Sequence, residues 1–242
     1  MKVLLVNNFI RGSVSQEETF WSVLADKLEN ASTIEIQSFK GNLKNEIAKI
    51  NPDVLIYNSV LGKLETPEQS KKIVILQDNF VKMDKVLPKS WKQKIKKALT
   101  GQNFYPTMIQ RQKEAIASAD KVVAVSKSVA NSYGVSAEII PIGVNEGLFK
   151  PLDSKNDLRK EYGIPIDKQV YIFVGSQHSV KGFDLLQKEI KNNPDKFYIV
   201  VLKDEIPQIK CQNAKYFNKI SQEELCKLYN CADGYIGFSR VE

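Results

Sequence analysis

"YIFVGSQHSVKGFDLL", residues 171–186, decides how this chain is read. It opens as an apolar β-type run, breaks at Gly175, and resumes at Lys181-Gly182 ahead of a helix-like pattern. A strand that passes through a short loop into a helix N-terminus gathers free amides and the positive end of the helix dipole at one point. That combination makes an anion site. The same outline arises wherever a strand turns a corner, so the stretch alone leaves both readings open.

Outward from it, β-type runs alternate with helical patterns. Runs at 2–7, 33–39, 53–59, 72–77, 121–126 and 137–142 read as strands; after a break come 170–175, 197–202, 214–217 and 234–239. Most are continuously apolar, as strands buried on both faces of a parallel sheet should be. Residues 16–29 set Phe20, Trp21, Leu24, Ala25 and Leu28 on one stripe behind a Ser15-x-x-Glu18 capping box. The alternation predicts an α/β chain of doubly wound parallel sheets. The polar interval 149–169 separates about six strands from about four, which places a domain boundary near residue 150, between 1–150 and 151–242. In open sheets of this kind, ligands bind outside the carboxyl ends of the strands.

Composition narrows the classes. With 43% hydrophobic and 26% charged residues, the 242-residue chain reads as soluble and globular. No apolar run approaches the ~20 residues that span a bilayer. The apolar start before Asn7-Asn8 is too short for a signal peptide and reads as a first strand. Cys211, Cys226 and Cys231 form no CxxC, and His178 is the lone histidine, which disfavours a zinc site; no metal is expected. The odd cysteine count fits small reduced side chains in a cytoplasm. Of the net charge of +7, residues 82–97 carry +6 through seven lysines against one aspartate. This is a local patch. Without aromatic interleaving or a reading motif, it does not suggest nucleic acid. Within 88–99, Trp91, Ile95 and Ala98 or Leu99 share a helical stripe, with Lys89, Lys92, Lys94, Lys96 and Lys97 on other faces. Such a helix suits peripheral contact with an anionic membrane surface. It equally suits a solvated helix packed on its own domain.

Four features fall at strand ends in sequence order: "IASADKVVAVSKSVANSYGVSAEIIPIGVNEGLFKP" (116–151), where a helix ends in Ala119-Asp120; "FVGSQHSVKG" (173–182); "ISQEELCKLYNCADGYIGFS" (220–239), where Ser221 caps a helix that ends in Ala232-Asp233; and the terminal "FSRVE". In these residues the chain resembles the retaining, nucleotide-sugar-dependent glycosyltransferases of family 4, or group 1, which have the GT-B fold of two Rossmann-like domains. The resemblance covers roughly residues 110–242; residues 1–110 share only the β/α rhythm. It implies transfer of a hexose from a nucleoside-diphosphate sugar to a hydroxyl of a glycan or lipid-linked acceptor, with retention, without a metal and without a further cofactor. It implies a cytoplasmic protein, peripheral on the inner membrane face where the acceptor is lipid-linked. By the same resemblance, Lys181 meets the donor diphosphate as a point charge. Gly182, with Gly175 and Ser176, lets the backbone approach it. Glu242 contacts the donor sugar and is the candidate catalytic residue, with Ser239 just before it. Lys219 and Ile220 lie against the nucleobase, and Gly12 faces the diphosphate.

The chain also departs from the pattern. Ser176 stands where the family usually has arginine, and Asn145 where it has aspartate. Gln77-Asp78-Asn79 occupies the region where an acceptor-facing histidine is common. Asp78 is a second catalytic candidate that would orient an acceptor hydroxyl, or it serves a cap or turn. His178 is expected on the solvent side of the loop. The family pattern continues past Glu242 with a Gly-rich turn and a second glutamate, so the expectation is a truncated second domain that transfers nothing alone. The rival reading is a non-catalytic GT-B-like binding or scaffold protein. A dinucleotide oxidoreductase is disfavoured, because no G-x-G-x-x-G follows the first strand.

Overall fold

The computed structural model describes residues 1–7, 16–28, 30–36, 40–87, 104–203, 205–208 and 211–241. The chain divides into two compact units, Met1–Gly143 and Val144–Glu242. The first contains strands β1 (Val3–Asn7), β2 (Ala31–Glu35), β3 (Val54–Asn58), β4 (Lys71–Leu76), β5 (Lys121–Ala124) and β6 (Glu138–Ile139). Its described helices are α1 (Gln16–Lys27), α2 (Leu43–Ile50), α3 (Phe80–Val86), α4 (Phe104–Ala117) and α5 (Lys127–Tyr133). The second contains β7 (Val170–Gly175), β8 (Phe197–Leu202), β9 (Ala214–Asn218) and β10 (Gly234–Tyr235), with α6 (Lys155–Glu161), α7 (Phe183–Asn192) and α8 (Gln222–Cys231).

Both sheets are parallel, ordered β2-β1-β3-β4-β5-β6 and β10-β7-β8-β9. The strand order therefore reverses between β1 and β3 in one unit and between β7 and β10 in the other. In open sheets of this kind, a switch point is where a crevice opens at the carboxyl ends of the strands. Period-two side chains build a core on each face of the first sheet. Leu4, Val6, Tyr57 and Val74 meet Ile47 and Ala115 on one face; Val3, Leu5, Ile75 and Val123 meet Trp21 and Ala25 on the other. The second unit repeats the plan. Val170, Ile172, Ile199 and Val201 face Leu158 and Leu228, while Phe173, Tyr198 and Val200 face Phe183, Leu186 and Ile190. The expectation of burial on both faces fails at β2. There Ser32 and Thr33 are exposed, because β2 lies at a sheet edge. The three cysteines are free; Cys226 and Cys231 are buried.

An aspartate placed just before a strand recurs as a joint. Asp53 N–H donates to Lys2 C=O (2.9 Å), and Lys2 N–H returns to Asp53 Oδ2 (2.6 Å). Asp120 forms the same ring with Lys72 (3.0 and 2.8 Å), and Asp233 with Val170 (2.7 and 2.8 Å). Each ring satisfies an amide at the amino end of the neighbouring strand and pins the register. The Ala119-Asp120 and Ala232-Asp233 pairs thus lie at the amino ends of the strands, opposite the switch-point crevice. Their role is architectural.

The units divide at 143/144, whereas the sequence places the boundary near 150. Residues 148–152 pack on α8: Cys226 Sγ donates to Leu148 C=O (3.1 Å), Asn230 Nδ2 to Lys150 C=O (3.1 Å), and Phe149 meets Tyr229 edge-on. Contacts between residues distant in sequence, invisible to local composition, move the boundary. Strand β10 is also shorter than the expected 234–239. After Ile236 N–H bonds Ile172 C=O (2.9 Å), the chain leaves the ladder, and Arg240 N–H bonds Val180 C=O (2.8 Å) instead.

Candidate functional site

In the second unit the site grows from β7. Its apolar run carries the chain to Gly175 in the middle of the sheet, and Lys203 N–H bonds Gly175 C=O (2.9 Å), extending the β8 register by one residue. A single 3₁₀ turn, Ser179–Lys181, follows. His178 caps it: Nδ1 accepts from Val180 N–H (3.2 Å) and its carbonyl accepts from Lys181 N–H (3.0 Å). His178 is exposed, and it also shapes the turn, a task the solvent-side reading did not include. Gln177 Nε2 ties the loop to Glu205 C=O (2.5 Å). The turn folds Lys181 back beside Gly175, so that a Cβ added at Gly175 would stand 3.5 Å from Lys181 Cβ. Two residues six apart in sequence become neighbours at the carboxyl end of the strand.

Gly182 adopts φ +67 and starts α7. A Cβ there would overlap the Phe238 backbone carbonyl. The close approach that requires glycine is therefore to the segment after β10, in addition to any ligand. Gly182→Ala is expected to cost about 2–3 kcal/mol, from the left-handed backbone plus the clash. A fall in the urea midpoint at unchanged slope would register it, and an unchanged midpoint would contradict the packing argument.

Around this loop lie the other expected residues of the unit. Ser239 follows Phe238 and is half-buried. Lys219 (φ 52) and Ile220 form the turn after β9, at the carboxyl end of the strand; Lys219 is exposed, and Ile220 packs on the core beneath. The next residue, Ser221, caps α8, and the structure adds a capping box with Glu224. The loop lacks the arginine expected at position 176. A different one reaches it: Arg240 donates to Ser179 C=O (2.5 Å) and forks onto Asp184 Oδ1 and Oδ2 (2.9 and 2.8 Å). Sequence reading missed this pair. Its members are 56 residues apart, and no local pattern connects them.

In the first unit, Gln77-Asp78-Asn79 follows β4 at its carboxyl end. Gln77 belongs to the scaffold, where its Oε1 accepts from Asn58 Nδ2 (2.8 Å) and Trp21 Nε1 (3.2 Å). The cap of α3 is Asn79, whose Oδ1 accepts from Lys82 N–H (3.0 Å). Asp78 does not cap. Its carbonyl accepts from Gln112 Nε2 (3.2 Å), while its half-buried carboxylate accepts no hydrogen bond among the described residues. Burial pushes that carboxyl above the usual range. The fully buried Gln112 bridges Asp78, Ser59 Oγ (3.0 Å) and the Tyr133 hydroxyl, which donates to Gln112 Oε1. Tyr133 is pushed up to about 12, by burial first and with the Asp78 charge adding to it. A buried glutamine on an amphipathic helix carries no advance signal of this network. Gly12, Glu242 and the 88–99 lysine segment, with Lys89, Trp91, Lys92, Lys94, Ile95, Lys96 and Lys97, lie outside the described residues. Among the described residues, no helix is long and apolar enough to cross a membrane.

Comparison with known proteins places these features. No family model matches the chain. Over 103 residues, 38% of the chain, it is 26% identical to a D-inositol 3-phosphate glycosyltransferase of Xylanimonas cellulosilytica. Over 88 residues, 34% of the chain, it is 30% identical to the putative teichuronic acid biosynthesis glycosyltransferase TuaC of Bacillus subtilis. These matches span only 25% and 23% of the two relatives. Among solved structures, sucrose-phosphate synthase from Thermosynechococcus elongatus superposes with a TM-score of 0.73, covering 100% of this chain and 76% of that one at 15% identity. Anabaena Alr3699/HepE, solved with UDP and glucose, gives 0.63 at 13% identity, covering 99% of this chain and 74% of that one. The chain has the α/β fold of the GT-B glycosyltransferases, and the sequence resemblance to glycosyltransferases stands.

Proposed function

We propose that the chain forms the nucleotide-sugar-binding framework of a retaining glycosyltransferase that moves a hexose from a nucleoside diphosphate to a hydroxyl of a glycan or lipid-linked acceptor. One observation carries the proposal. Gly175 and Lys181 stand side by side at the carboxyl end of β7, next to the β7/β10 switch point and the start of α7. This is where a parallel sheet offers amides and a helix dipole to phosphate. As the acceptor oxygen bonds the anomeric carbon, the bond to the diphosphate breaks, and the acceptor proton passes to the departing phosphate. Lys181 and the loop would stabilise the negative charge that develops there, without a metal. Ser176 and Gly182 would line the diphosphate, Lys219 and Ile220 the base, and Ser239 and Glu242 the sugar. In the first unit, the Asp78 carboxylate would accept a hydrogen bond from the acceptor hydroxyl. The 88–99 segment would hold the protein to an anionic membrane surface on the cytoplasmic side.

Calorimetric titration with UDP, GDP and ADP and their hexose conjugates tests the reading. Saturable binding of one nucleotide is expected. Absence of binding by the folded chain would sink the proposal. Turnover of the bound nucleotide's sugar conjugate, read by mass spectrometry, would exclude a non-catalytic GT-B-like binding protein, the reading to which Ser176 in place of arginine points.

A further inference from the structure

We propose that Arg240 is a positioning residue for the diphosphate, acting through Asp184: it cancels the carboxylate at the start of α7 and braces the loop that precedes it. The inference rests on the reading of this loop as the donor site.

Asp184 is the second residue of α7, in the turn where helix amides and dipole favour an anion. A diphosphate arriving at the same helix end would meet a fixed negative charge, and like charges a few ångströms apart repel. Arg240 answers this by geometry. Its planar fork puts one N–H on each Asp184 oxygen (2.9 and 2.8 Å), a bidentate match that lysine cannot make. The same guanidinium donates to Ser179 C=O (2.5 Å), and the Arg240 backbone N–H donates to Val180 C=O (2.8 Å). One residue therefore grips two consecutive carbonyls of the loop and the helix behind it.

The guanidinium is only 25% exposed, against 54% for the Asp184 carboxylate. The pair holds the Asp184 carboxyl below the usual carboxylate range, chiefly through the Arg240 hydrogen bond. Lys181, Asp184 and Arg240 together carry one net positive charge; without Arg240 they carry none. Position 176 has lost its expected arginine, and the cation arrives instead from the far end of the unit. It holds the loop's own anion and leaves the phosphate to Lys181.

The test is a double-mutant cycle on nucleoside-diphosphate affinity, measured by calorimetry with whichever of UDP, GDP and ADP the wild-type chain binds, and with inorganic pyrophosphate. Arg240→Ala is expected to weaken binding about tenfold, the equivalent of the repulsion released. Asp184→Asn alone should tighten it about threefold, and Arg240→Ala/Asp184→Asn should return to within about threefold of wild type. That rescue distinguishes charge cancellation from a structural role, which a second mutation would not repair. Asp184→Asn keeps the proposal testable even where Arg240→Ala fails to fold. Wild-type affinity in Arg240→Ala, equal weakness in the single and double variants, or an Asp184→Asn protein that binds no tighter than wild type would each overturn the inference. Failure of the wild type to bind any of the probes would instead overturn the reading of the site.

Discussion

Asp233→Ala is expected to destabilise the second unit by about 3 kcal/mol, because it leaves a buried guanidinium without its anion. Arg159 is 4% exposed, and its NH2 donates to Asp233 Oδ2 at 2.8 Å. The same oxygen accepts from Val170 N–H (2.8 Å), and Oδ1 meets Lys155 Nζ (2.9 Å). Arg159 keeps its bond to Cys231 C=O (2.8 Å), so the loss is one of charge balance as well as of a hydrogen bond. Asp233 is itself about one-third exposed, which holds the cost to the low end of the range for breaking buried pairs. Urea unfolding of the chain measures it, and a loss below ~1 kcal/mol would show that water replaces the carboxylate.

The same residue makes stability pH-dependent. Burial alone would raise the Asp233 pKa, but the bonds from Lys155, Val170 and Arg159 outweigh it and hold the carboxyl down at about 2, against an ordinary 3.8. A depressed folded-state value contributes stability that is complete above the unfolded value and is lost as pH falls from about 4 to about 2. Asp233→Asn should flatten the stability curve within that window. A slope identical to wild type would place the acid sensitivity in other carboxylates.

Lys181→Ala is expected to weaken nucleoside-diphosphate binding about 30-fold, roughly the worth of one charge-assisted contact to phosphate. The estimate follows from where the turn puts the residue. Lys181 ends the 3₁₀ turn beside Gly175, immediately before the helix start. Lys188→Ala, on an exposed position farther along α7, is the charge-matched control and should bind as wild type does. Equal affinities of the Lys181 variant and the control would mean that the loop amides alone hold the phosphate, or that the ligand lies elsewhere.

Strand positions were legible in the sequence because a strand buried on both faces must be apolar throughout. "FYIVVL" could be nothing else, and β8 is buried along its whole length. The stripe of Trp21, Ala25 and Leu28 and the Ser221 cap were legible for the same kind of reason, since helix period and capping are local properties. The Ala-Asp pairs were visible as motifs, but their meaning was not. Each aspartate does its work on an amide at the amino end of a neighbouring strand, and the choice of neighbour belongs to topology. Asp78 was legible as a polar residue at a strand end, whereas its separation from the capping role, which Asn79 takes, needed coordinates.

By itself the sequence determined the alternation of strands and helices, the existence of two units, the Gly175–Lys181 loop and the resemblance to glycosyltransferases. All of these are encoded in residues near one another along the chain. Only the tertiary structure decided that Gly182 must be glycine for the sake of Phe238, that Gln112 joins two strand ends, and that Arg240 crosses 56 residues to hold Asp184. The physical reason is range. Propensity and period act over a turn or two, while a charge pair or a steric contact is fixed by which elements the sheet order brings together.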